Sequence, residues 1–279
     1  MRQKKMVAIV AALLTIAILG SSALAAVDIS GSEVFANGET IEIHDGGGTG
    51  TYINTTASIN GGNGSTDISN RTIYGGSNGT SLINGDTNVT MTGGTVAAIY
   101  GGSKLGGAFS GTVINGDTNV TIEGGTVTGD VYGGSNVSGT MSGSLITGDT
   151  NVNIDGGTVE KDVYGGSNVS GKLSGSIIMG DTNVEYAVGT VTGGVDGGSK
   201  VKGRCAKSII CGEENVTSYI PPRPTSDDTG ITEIPLGIPA IPLGAPRTGA
   251  ASAGLLYCML SILGVAGFMG IKVCRCKVK

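Results

Sequence analysis

The sequence predicts an all-β chain, a right-handed parallel β-solenoid (β-helix) of 31–32-residue repeats, followed by a C-terminal transmembrane helix. Three observations carry that expectation. Gly85-Asp86-Thr87-Asn88-Val89 recurs at Gly116, Gly148 and Gly180, at intervals of 31, 32 and 32 residues. A second marker, Tyr-Gly-Gly-Ser, starts at Tyr74, Tyr100, Tyr132 and Tyr164 and keeps the same phase. Residues 250–271 hold no formal charge over 22 positions, long enough at about 1.5 Å per residue to cross a hydrocarbon core of about 30 Å.

In chain order, residues 1–25 read as a signal peptide. Arg2, Lys4 and Lys5 precede an apolar run, and Ala23-Leu24-Ala25 fits a small-residue cleavage site. Residues 26–84 form an N-terminal cap with a first degenerate repeat, and 85–219 the solenoid with its C-terminal cap. Within a unit, short β-branched runs such as Asn119-Val120-Thr121-Ile122 alternate with glycine pairs, which are strand-length pieces and not helices. Val120 and Ile122 share a face, as do Val89 and Met91, and Val152 and Ile154. One unit cannot bury that face, whereas stacked units place Val89, Val120, Val152 and Val184 in one interior column. Asn88, Asn119, Asn151 and Asn183 form a second column whose amides can bond along the stack. Interval lengths between the two markers vary, which places a projecting Gly/Ser-rich loop around Asn136 to Ser144 and favours one three-sided coil per repeat over two coils of 16.

Gly212-Glu213-Glu214-Asn215-Val216 is an eroded last copy. There Cys205 falls in phase with Phe109, Met141 and Leu173, and Cys211 with Asn115, Thr147 and Met179. Two readings follow, a Cys205–Cys211 disulfide tightening the cap or two free thiols. Residues 220–249 are a linker whose seven prolines favour extended chain, and 272–279 form a basic tail on the cytoplasmic side.

Charge and chemistry narrow the function. Outside the signal and the C-terminal end, nine Lys and Arg stand against 22 Asp and Glu, so nucleic acid is not an expected partner. The one histidine, His44, lies outside the repeats, which leaves no His-based catalytic set and no catalytic residue to name. The Asp86, Asp117, Asp149 and Asp181 column lacks the spacing of calcium β-rolls and reads as turn capping, so no metal or cofactor is expected. Lys200, Lys202, Arg204 and Lys207 read as a solvated terminal face.

Pro246-Arg247-Thr248-Gly249, the apolar run and the basic tail resemble the sorting signal of sortase-anchored Gram-positive surface proteins, with Ala245 where that family carries Leu. The resemblance implies a sortase that cuts between Thr248 and Gly249 and joins Thr248 to peptidoglycan; a retained single-pass anchor through 250–271 is the other reading. The repeat unit is similar to glycine-rich β-solenoid repeats of bacterial adhesins. Together these imply a non-enzymatic protein on a bacterial envelope, acting in adhesion toward a glycan or host surface or as a stalk. A carbohydrate-active β-helix enzyme and a eukaryotic-type single-pass ectodomain are the alternatives.

Overall fold

The computed structural model describes residues 26–45, 50–55, 67–218 and 277–278. The segments expected to be signal peptide, linker, sorting motif and membrane helix lie outside the described residues. Within them the chain is all β, with no helix, and winds into a parallel solenoid of about four turns.

One turn carries five short strands. In the second full coil they are Thr118–Ile122, Thr126–Val127, Val131–Tyr132, Asn136–Val137 and Gly143–Ile146. Each pairs in parallel with its equivalent one repeat away, Val120 with Val89 and Val152, Val131 with Ile99 and Val163, Ile146 with Ile114 and Ile178. The offset is 31 or 32 residues, so each repeat makes a single coil. We number the five stacks first to fifth ladder in that order.

Alternation fixes what points inward. Val120, Ile122, Val127 and Val131 are fully buried and join their equivalents in one continuous core. Ile83, Ile114, Ile146, Ile178 and Ile210 form a second core column. A file of buried hydroxyls accompanies them. Thr118 Oγ1 donates to the Gly133 carbonyl at 2.6 Å, Ser144 Oγ to Ser135 Oγ at 2.9 Å, and the Ser135 N–H to Ser167 Oγ at 3.0 Å. These hydroxyls therefore have partners where an orphan would cost about 1–3 kcal/mol. Gly133 is required by close approach: a Cβ there would lie 2.3 Å from the Gly165 carbonyl oxygen and 3.1 Å from Thr150 Cβ.

The expected Asn column is present as a ladder. The side-chain amides of Asn119, Asn151, Asn183 and Asn215 donate to Asn88, Asn119, Asn151 and Asn183 at 2.8–3.0 Å. The Asp column caps turns as expected, since Asp86, Asp117 and Asp149 each accept the backbone N–H of the next aspartate at 2.8 Å.

One expectation needs correction. The segment from Asn136 to Ser144 is not a projecting loop. Its strands belong to the fourth and fifth ladders, and Val137 is buried with Leu105 and Val169 in a small core of its own. Only the corner near Met141 protrudes. The short first interval, where Gly79 turns the chain at φ +87°, omits that corner. Each coil consequently carries five short strands.

Antiparallel strands close the N-terminal end: Asp28–Ser30 folds back on Glu33–Phe35, and Thr51–Thr55 on Thr40–Asp45. They end the stack with hairpins in place of open parallel edges. At the opposite end Glu214–Ser218 is the outermost strand of the first ladder, and Lys277–Val278 lies antiparallel on Lys207–Ile210.

Val152 is 1 % exposed in the middle of the first ladder. Val152→Asp places an unpaired carboxylate between two valines, and we expect a loss of about 3 kcal/mol or more, read as a lowered thermal transition. An unchanged transition would place Val152 outside the core.

Candidate functional site

The Tyr-Gly-Gly-Ser marker serves three purposes at once. Its glycines permit the close approach described above and its serine enters the hydroxyl file. Its tyrosine lies beside the inward Val131 and points to the other face of the third ladder. There Phe35, Tyr74, Tyr100, Tyr132 and Tyr164 stack with ring centroids 5.1, 5.0, 4.8 and 5.0 Å apart, within 15° of coplanar. Each stacked pair is worth about 0.5–1.5 kcal/mol beyond its buried area. The hydroxyls are held by carboxylates and amides: Tyr132 donates to Asp130 Oδ2 at 2.9 Å, Tyr164 to Asp162 Oδ2 at 3.1 Å, and Asn136 Nδ2 donates to the Tyr74 hydroxyl at 3.2 Å. Burial pushes the Tyr132 phenol well above its usual range, and Asp130 reinforces the shift.

A lysine ends the stack. Asp196 stands where the next tyrosine would be, and Lys200 replaces the asparagine of the preceding coils. Its ammonium sits 5.0 Å above the Tyr164 ring and bonds Asp130 Oδ2 at 2.9 Å and Asp162 Oδ2 at 3.5 Å. Burial lowers the Lys200 pKa, but the hydrogen bond and charge of Asp130 outweigh it and hold the ammonium above its usual range. Burial likewise raises Asp130, yet hydrogen bonds from Lys200, Tyr132 and the Asp162 N–H keep it below the usual carboxylate range. At the same register in an earlier coil, Lys104 bonds Glu33 Oε2 at 2.6 Å. The basic patch read as a solvated face is therefore partly structural. The sequence signal was the loss of tyrosine and asparagine from the same coil.

The corner before the fifth ladder differs in character. Phe109, Met141, Leu173 and Cys205 occupy one register there with φ between +56° and +61°. That conformation costs a side-chain-bearing residue about 1–2 kcal/mol, and its repetition over four coils marks a feature held in place by the ladders around it. Phe109, Met141 and Leu173 are 68 %, 40 % and 46 % exposed. Backbone N–H groups of Phe109 and Met141 bond the carbonyls of Thr140 and Lys172 in the next coil at 3.0 Å, so the corners stack as an apolar ridge.

Cys205 is a free, exposed thiol on that ridge. The Cys205–Cys211 bridge does not form, because the strand Lys207–Ile210 between them spans about 13 Å at roughly 3.3 Å per residue, beyond disulfide reach. Cys211 is disulfide-bonded to a different partner. His44 is half-buried in the N-terminal hairpin, with Nδ1 3.3 Å from the Asp45 carbonyl and its ring 6.3 Å from that of Tyr52. Pro246, Arg247, Thr248 and Gly249 lie outside the described residues. Among the described residues no His, Cys, Asp and Glu gather as a metal-binding group. No described helix is long and apolar enough to cross a membrane. Compared with family models, curated proteins and solved structures, the chain matches none.

The lysine clamp predicts a pH profile. Asp130 has a depressed pKa, so its contribution is present above about pH 4, the unfolded carboxylate value, and is lost as pH falls through its folded value. Lys200 and Tyr132 have raised values, so theirs is present below about pH 10 and is lost as pH rises through the folded values. Lys200→Met should cost about 1–2 kcal/mol at pH 7, with the difference from wild type shrinking below about pH 4. Thermal melts from pH 3 to 11 check both limbs; a pH-independent difference would contradict the clamp.

Proposed function

We propose that the chain is a non-enzymatic structural repeat protein of a bacterial surface, a short rigid rod held to the envelope through its C-terminal region. The observation that carries this reading is the continuity of its columns. The tyrosine stack, asparagine ladder and aspartate caps run coil to coil without a break, and stiffness along the stack is what such columns supply. The described acids support it too: Asp130 and Asp162 are engaged by Lys200 and tyrosine hydroxyls, and Asp86, Asp117 and Asp149 by turn N–H groups. These engagements favour a structural role over glycoside chemistry, which needs a pair of carboxyls facing substrate.

A second reading, adhesion, is favoured by the exposed ridge of Phe109, Met141 and Leu173, since contiguous exposed apolar surface marks contact sites. Both readings share the anchor, for which Thr248, Gly249 and the apolar segment 250–271 are the support. A tail strand at Lys277–Val278 on the coil and a membrane-crossing 250–271 segment exclude each other, because a tail bonded to the coil stands on the coil's side of any bilayer. Cleavage after Thr248 would remove both.

Thr248→Ala should move the protein from the cell-wall to the membrane fraction, and mass spectrometry of wild-type wall digests should recover peptides ending at Thr248 joined to peptidoglycan fragments. Wild-type chains that retain Lys279 as the dominant form would overturn the sortase step and leave the single-pass anchor.

A further inference from the structure

The two ends of the solenoid differ. At the N-terminal end the first and third ladders close with antiparallel hairpins. At the C-terminal end, among the described residues, the first four ladders stop at Glu214–Ser218, Thr190–Val191, Val195–Asp196 and Lys200–Val201. The tail strand Lys277–Val278 extends only the fifth. The core runs open there. Val159 and Val163 are fully buried, whereas their last equivalents, Val191 and Val195, are half-buried. Val216 is 46 % exposed and Val188 77 %. An open row of strand N–H and C=O groups is a template on which another chain can pair.

Glu214–Ser218 is complementary to itself. Thr182 donates its N–H to the Glu213 carbonyl one coil on, so alternate residues of this ladder turn their backbone groups toward the C-terminal end. In the last strand those residues are Glu214, Val216 and Ser218, with Val216 at the centre. A second copy laid antiparallel about a two-fold axis at Val216 exchanges N–H···O bonds there and at both Glu214–Ser218 pairs. The side chains agree with that register. Valine meets valine on the inward face, as it does throughout this ladder. On the outward face Asn215 donates its amide back to Asn183 at 2.9 Å, and no asparagine follows it among the described residues. Its carbonyl oxygen is then placed opposite Thr217 of the second copy, whose hydroxyl can donate. Glu214 falls opposite Ser218 and not opposite another acid. Charge permits the approach as well. Residues 187–218 carry four Lys and Arg against three Asp and Glu, whereas residues 85–186 carry three against ten, so the last coil is free of the net repulsion of the others.

We propose that the C-terminal end of the coil is a homodimer interface, in which Glu214–Ser218 of two copies pair antiparallel about a two-fold axis at Val216. The two first ladders then run on as one sheet. Such a contact uses the same patch on both copies and closes after two. Head-to-tail joining is the other geometry. It opposes unlike edges, Glu214–Ser218 against the hairpin strand Thr51–Thr55, and would continue into filaments. The two-fold joint covers Val216 and the open core of both copies, which removes apolar surface from water, and it doubles the length of the rod. It goes beyond the structural reading above and does not depend on the anchor.

The test uses the full chain in mild detergent. Sedimentation should show monomer and dimer in equilibrium. Val216→Lys, which opposes two ammoniums at the axis, should weaken the dimer by about tenfold or more while the thermal transition of the coil stays put at concentrations where wild type is monomeric. Register is read by crosslinking in a Cys205→Ser background. Val216→Cys should form a disulfide between copies under mild oxidation, because Cα atoms paired there lie about 5.5 Å apart. Thr217→Cys should not, because its two equivalents are diagonal neighbours about 7–8 Å apart. A chain that stays monomeric at every concentration would overturn the proposal. So would a dimer that Val216→Lys leaves intact, a series of higher oligomers, or crosslinking through position 217 in place of 216.

Discussion

In-register hydrogen bonding between coils 31 or 32 residues apart is the constraint on which everything else rests. Once Val120 is paired with Val89 and Val152, every other position in the repeat also meets its own equivalent one coil away. Repetition of sequence then becomes repetition of contact. Valine meets valine in a dry column, asparagine amide meets asparagine amide, tyrosine stacks on tyrosine. A chain with 52 glycines, three phenylalanines and no tryptophan has little apolar bulk to set against ordering entropy. It folds because each small residue is used in a column that extends through the stack.

The same constraint explains the glycines. Gly133 is held between the Gly165 carbonyl and Thr150, and a Cβ there would force the coils apart. The Thr118 hydroxyl closes this pinch from the opposite side. Columns of like residues are also vulnerable at their ends, where the last member has one neighbour only. The tyrosine stack ends under the Lys200 ammonium, and the N-terminal end is closed by hairpins.

Much of this was legible because period and identity suffice to find a column. The valine core, the asparagine ladder and the aspartate caps follow from noticing that equal residues recur at equal phase. What was missed depends on direction and not on period. Asn136–Val137 and its neighbours are two-residue strands, too short for alternation to show, so a stacked part of the coil read as a loop. Tyrosine stacking needs the ring to leave the core side of its strand, which a Val-Tyr pair alone does not reveal. Lys200 acts across coils, on Asp130 some 70 residues earlier, a distance at which sequence spacing carries no signal. Cys205 and Cys211 looked close in sequence, but the strand between them is extended.

The most direct measurement of the account is nuclear Overhauser contacts across the first ladder in a selectively labelled chain. In-register stacking predicts short Hα-to-amide contacts linking the Val120 and Val152 neighbourhoods, and likewise Val89 with Val120, with none at half that offset. Contacts at an offset near 16, or the cross-strand pattern of antiparallel hairpins within residues 118–186, would contradict it.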